Sequence, residues 1–133
     1  MKKKVRGYVF SRSFMGERVP QHVQNIVIRD YCEKNELQFL LSASEYAMEG
    51  CHLILKLVIE ELQNIDGIAA YSLFQLPCDD AEREAIYSQI IAFGKTLHFC
   101  VEGLSIKNES DCQRVENIWR VKKVMANTDL GTK

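Results

Sequence analysis

Apolar residues along this chain follow two rhythms: short β-branched or aromatic runs, and longer stretches with apolar positions at helical spacing. The run Val5-Arg6-Gly7-Tyr8-Val9-Phe10 predicts a strand over 5–10. Residues 20–35 predict a helix with Pro20 at its first position and an apolar face of Val23, Ile26, Val27 and Tyr31. A second strand follows over 37–41. A second helix follows over 50–62, with Leu53, Ile54, Leu57, Val58 and Leu62 on one side. The turn Asn64-Ile65-Asp66-Gly67 leads into a third strand over 67–71, almost wholly apolar, as in the middle of a parallel sheet. A third helix over 79–93 starts at a cap on Asp79 or Asp80 and stops at Gly94. A fourth strand over 96–101 and a fourth helix over 111–125, capped by Ser110, complete the alternation.

Strands separated by helices require right-handed crossovers. The pattern therefore predicts an α/β fold, a three-layer domain with a mostly parallel four-stranded sheet in the order 2-1-3-4. One domain is expected over 1–126, with a flexible tail over 127–133. Ligands of such sheets bind beyond the carboxyl ends of the strands, where the strand order reverses. Here that place lies between the first and third strands.

The loop after the first strand, Ser11-Arg12-Ser13-Phe14-Met15-Gly16-Glu17-Arg18-Val19, stands at that rim. Arg12 and Arg18 offer planar, bidentate donors for an anion such as a phosphate, a carboxylate or a sugar acid. Ser11, Gln21, Tyr46, Ser72 and Gln75 lie on the same rim and are candidate substrate-binding residues. Ser13 is a candidate nucleophile, which needs a base to take its proton. Glu45 and Glu102, on separate loops, are candidate catalytic bases, or else salt-bridge partners of the arginines. His22, His52 and His98 show no metal-ligand spacing, so neither a metal site nor a cofactor is expected.

Composition narrows the picture. The chain has 133 residues, 47% hydrophobic and 26% charged, enough for one self-sufficient core. A net charge of -1 argues against a strongly basic nucleic-acid surface. Five cysteines at irregular spacing make a disulfide framework or zinc site unexpected; Cys32, Cys100 and Cys112 read as small core residues. No apolar signal core follows Met1-Lys2-Lys3-Lys4 and no run is long enough for a membrane span, which predicts a cytoplasmic protein without membrane contact. Val115, Ile118, Trp119 and Val121–Val124 spread too widely around the last helix for one docking face, which predicts a homodimer through that C-terminal helix.

Two resemblances carry further expectations. Gly7-Tyr8-Val9, the serine loop and Gln24 resemble the opening of the catalytic domain of serine recombinases, the resolvases and invertases. The strand and helix order is similar through about Leu104, and Ser13 takes the nucleophile's place. This resemblance implies a resolvase-like sheet. It breaks at the family's D-R-L-G-R pattern, whose arginines hold the scissile phosphate, because Phe74-Gln75-Leu76-Pro77-Cys78 stands there. An arginine expected before the second helix is replaced by Ala47-Met48-Glu49-Gly50.

Three other phrases resemble the sporadic carbohydrate cluster protein family, found among bacterial surface-sugar genes. They are Phe14-Met15-Gly16-Glu17-Arg18-Val19-Pro20-Gln21-His22-Val23-Gln24-Asn25, Ser44-Glu45-Tyr46-Ala47-Met48, and the stretch from Asp66 to Pro77. That resemblance implies a pathway rather than a reaction: surface-carbohydrate biosynthesis, with an anionic sugar or nucleotide-sugar as partner. The alternatives are a degenerate recombinase-like domain binding DNA, and a non-catalytic partner of a sugar-pathway enzyme.

Overall fold

The structure is a computed structural model that describes residues 2–131, with side chains described up to residue 125. Strands β1 (Lys3–Phe10), β2 (Leu37–Glu45), β3 (Gly67–Ala70), β4 (Thr96–Phe99) and β5 (Leu104–Ile106) form one sheet in the order β2-β1-β3-β4-β5. Helices α1 (Gln21–Lys34), α2 (Leu53–Glu60) and α3 (Asp80–Phe93) connect the parallel strands, and α4 (Glu109–Gly131) follows β5. The first four strands are parallel and stand in the expected order 2-1-3-4.

β5 adds an antiparallel edge strand that the periodicity does not reveal, pairing His98 with Ser105. Its three residues are too few to show an alternation. Gly103, with φ 67°, turns the chain back, so β4 stops at Phe99 and not at 101.

Alternation along the strands sorts the layers. Tyr8, Phe10, Ile68, Ala70, Leu97 and Phe99 face α2, α3 and α4 in the larger core. Val5, Val9 and Ala69 face α1, meeting Ile28 and Cys32. The sheet is therefore covered unequally, by one helix on one side and three on the other. Gly7 sits where β1 and β2 slip register between Arg6 and Tyr8, and a Cβ there would collide with the Ser42 hydroxyl.

Two helix faces differ from the sequence expectation. On α1 the buried residues are Gln24, Ile28 and Cys32, while Ile26 is exposed. Gln24 occupies a core position because its amide bonds both the N–H (3.0 Å) and the carbonyl (2.9 Å) of Phe10 and the carbonyl of Val19 (2.8 Å). A hydropathy pattern scores that residue as polar and rotates the face away from it. On α2 the buried residues are Leu55, Val58 and Ile59, with Leu53 and Leu57 exposed. Every residue from 53 to 59 except Lys56 is apolar, so the period alone does not choose a side.

β2 runs on to Glu45 instead of ending at 41, which turns Ser42, Ala43 and Ser44 from rim loop into sheet. α4 starts at Glu109; the Asn108 side chain, not Ser110, accepts the Asp111 N–H at 3.0 Å. Its backbone stays helical to Gly131, whereas the side chains of 126–131 and the whole of 132–133 in the expected tail lie outside the described residues. Cys32, Cys100 and Cys112 are buried as expected. Burial pushes the Cys32 and Cys112 thiols up, each to about 11.

Candidate functional site: a crevice at the β1–β3 switch

The strand order reverses at β1 and β3, and a crevice of about 470 Å³ opens at the carboxyl ends of these strands. The loop after β1 is more ordered than its polar composition suggests. Phe14 and Glu17 exchange backbone hydrogen bonds at 2.9 and 3.1 Å around Met15 (φ 53°) and Gly16 (φ 78°). A two-residue turn with both φ positive matches tight hairpin geometry. It sets the Phe14 ring edge-on to Phe10, at 5.6 Å between centroids, and to Tyr71 at 6.0 Å.

Arg12 and Ser13 line the crevice, together with Phe14, Glu49, His52, Phe74 and residues 76–79 and 82. The Arg12 guanidinium lies 4.1 Å above the Phe10 ring and donates to the Tyr46 carbonyl at 2.8 Å. Ser13 is exposed and makes no side-chain hydrogen bond among the described residues. The His52 ring stands between two carbonyl oxygens, with Nε2 2.9 Å from that of Gln75 and Nδ1 3.3 Å from that of Gly50, and a neutral ring donates to one of them.

The remaining sequence candidates stand outside this lining. Arg18 is exposed. Gln21 accepts from Ser44 Oγ at 3.3 Å, and Tyr46 is exposed. Ser11 donates to the Glu45 carbonyl at 2.8 Å. Gln75 is buried against Gln24 (2.9 Å), joining the loop after β3 to α1.

Both candidate bases are engaged by backbone donors. Glu45, 1% exposed, accepts from Tyr8 Oη (2.9 Å) and from the N–H groups of Leu55, Ile54 and Tyr46 (3.1 Å each). Burial opposes its ionisation, but the Ile54, Leu55 and Tyr46 N–H groups and the Tyr8 hydroxyl outweigh this and hold its carboxyl below the usual range. It caps α2 from the end of β2, while His52 at the cap position makes no side-chain cap bond. Glu102 accepts from Ser72 Oγ (2.8 Å) and the Leu73 N–H (3.0 Å), steadying the 3-10 turn Leu73–Gln75. Neither carboxylate bonds Ser13.

Sequence reasoning missed Phe14, Glu49, His52, Phe74, Asp79 and Glu82 as crevice residues. Asp79 was legible only as a candidate cap, alongside Asp80, and its side chain does accept the Glu82 N–H at 3.0 Å.

The fold, though not the sequence, has counterparts among solved structures. The fold is similar to that of resolvase-type recombinases. A resolvase family site-specific recombinase from Streptococcus pneumoniae matches with a TM-score of 0.64 and 10% identity, over 96% of this chain and 95% of that one. The N-terminal catalytic domain of TP901-1 integrase matches with a TM-score of 0.57 and 12% identity, over 95% and 98%. No protein-family model and no curated protein matches this chain, so the likeness to the sugar-cluster family rests on its sequence phrases. Among the described residues no helix is long and apolar enough to cross a membrane.

Proposed function

We propose that this chain is a resolvase-like domain that has given up strand cleavage and uses the switch-point crevice to bind a hydroxyl-rich ligand of sugar size. The lining of the crevice carries this reading. A phosphodiester calls for converging cations. Here the carboxylate-bearing residues Glu49, Asp79 and Glu82 line the crevice, and Arg12 is the one arginine or lysine among its described lining residues. Carboxylates accept hydrogen bonds from hydroxyls. Phe14 and Phe74 supply apolar walls for the C–H face of a sugar ring.

The same charge favours a neutral or amino sugar over the anionic sugar expected from Arg12 and Arg18. Within the pathway that the sugar-cluster resemblance implies, the domain serves surface-carbohydrate biosynthesis as a binding partner. Saturation-transfer NMR with glucosamine, glucose, glucuronate and a nucleotide-sugar tests this. Signals confined to the neutral and amino sugars, and lost in Phe14→Ala, are expected. Binding of glucuronate alone, or of none of the four, overturns it.

The fold likeness favours a second reading, a recombinase-like domain that acts on DNA, since exposed Ser13 still sits in the crevice. Covalent attachment of Ser13 to nicked plasmid, or salt-dependent duplex binding, would establish that reading in place of the first. A homodimer through α4 is compatible with both. Trp119 is 3% exposed and cannot anchor it, but Val121 and Met125 are each 59% exposed beside Phe74 and Ile118.

A further inference from the structure

At the opposite rim, where the strands begin, a second and smaller cleft of about 190 Å³ gathers polar groups that the fold does not use. Its floor is His98 on β4, 9% exposed, with Thr96 two residues earlier on the same strand face and Ser105 beside it in register on β5. Lys3 and Lys107 stand at its sides, close enough for their charges to act on the His98 ring. Among the described residues, no ion pair or hydrogen bond holds either ammonium, and the Thr96 and Ser105 hydroxyls are equally unpartnered.

The His98 ring is partnered on one side only. Its Nδ1 lies 2.9 Å from Tyr31 Oη, and Nε2 has no partner among the described residues. Burial pushes the Tyr31 hydroxyl up to about 12, so it keeps its proton. When it donates to Nδ1, the ring's own proton resides on Nε2. Burial, with Lys107 and Lys3, pushes His98 down to about 4, so the ring is neutral at pH 7. With Tyr31 donating to Nδ1, the uncharged Nε2–H lies in a cleft lined by the ammonium groups of Lys3 and Lys107 and the hydroxyls of Thr96 and Ser105.

We infer that this cleft binds a small oxyanion, a phosphate or a carboxylate, between Lys3, Lys107 and the Nε2 of His98. Thr96 and Ser105 complete the donors. Asp66 is the one carboxylate among the described residues that line the cleft, and its Oδ2 accepts the Lys4 N–H at 2.8 Å. An oxyanion that keeps one acid proton or hydroxyl meets the free carboxylate oxygen without repulsion, so the monoanion is favoured over the dianion. The cleft takes only a small head group, and any larger remainder of the ligand extends into solvent. The site is independent of the crevice at the other rim.

Histidine side-chain NMR of the full chain at pH 7 tests the inference, with inorganic phosphate, acetate and chloride as probes at matched ionic strength. Phosphate or acetate is expected to shift the His98 ring signals in a saturable way, leaving His22 and His52 unmoved. Saturation by phosphate alone assigns a phosphate site, and by acetate alone a carboxylate site. Lys3→Ala and Lys107→Ala each weaken the saturating anion about two- to fivefold, the range of an exposed ion pair. Both variants are expected to unfold at the wild-type temperature without anion, because neither ammonium has a partner to lose. Equal shifts with chloride, no shift with either oxyanion, or undiminished binding in the double variant would overturn the assignment.

Discussion

Replacing Glu45 by Gln keeps the shape of the side chain and removes its charge and one acceptor oxygen. In the native protein Oε1 takes hydrogen bonds from Tyr8 Oη and the Leu55 N–H, and Oε2 from the Ile54 and Tyr46 N–H groups. A glutamine carbonyl serves one of these pairs; its amide NH2 then points at the other two donors. Each donor left unsatisfied in a buried setting costs about 1–3 kcal/mol. The more exposed Ile54 and Tyr46 pair sets the lower bound, so the loss is about 2–4 kcal/mol, with about 0.3–1 kcal/mol more from the uncompensated start of α2. Against a total of about 5–15 kcal/mol this is a large fraction. Urea unfolding followed by circular dichroism reads it as a midpoint lowered by roughly 1 M or more. The pH dependence supplies a second check. The folded carboxyl is held below the unfolded value of about 4.3, so its contribution is fully present above that pH and fades as pH falls through the folded value. Wild type and Glu45→Gln therefore converge in acid. A variant midpoint equal to wild type at pH 7, or a gap that persists unchanged in strong acid, refutes the capping role.

Three further outcomes follow from the packing. Arg83, 1% exposed, clasps Glu116 of α4 and the carbonyls of Pro77 and Cys78 while stacking on Trp119; Arg83→Met is expected to cost about 3–5 kcal/mol, read as a thermal midpoint roughly 10 °C lower. Gly7→Ala drives a methyl into Ser42 and the Phe39 ring, and is expected to cost about 1–3 kcal/mol in a urea titration, whereas Gly7→Ala with Ser42→Gly recovers part of it. Val121→Asp is expected to convert a dimer to a monomer by light scattering at micromolar concentration; a wild type that already scatters as a monomer removes the α4 interface.

What was legible in the sequence follows from what sets each feature. Parallel pairing was readable because the alternation of runs forces crossovers, and the buried Gly67–Ala70 run marks the centre; alternation alone does not set the strand order, and it hid β5. Helix faces were not, because Gln24 is buried for its hydrogen bonds and α2 is apolar almost all round. The candidate site divided the same way. Arg12 and Ser13 follow a strand end, so topology places them on the crevice. Glu45 carries the same chemistry as a general base, and only the distance to the Ile54 and Leu55 amides reveals a cap. Phe14 reached the crevice through the Met15-Gly16 turn, a two-residue signal hidden in a loop read by its charges.

The strand order also sets a timetable for synthesis. β1 is made first, yet it lies inside the sheet and pairs with β2 on one side and β3 on the other. The gap from Phe10 to Ala70 is 60 residues, a wait of roughly 3–12 s at the ribosome's pace of 5–20 residues per second. Through that interval an apolar strand with two open edges has only α1 and β2 for cover. A nascent chain halted between β2 and β3 presents the unpaired edge of β1 to any neighbouring chain. Expression of this protein is accordingly most vulnerable to stalling in the middle third of its message, and a fragment ending before Ala70 aggregates where the full chain folds.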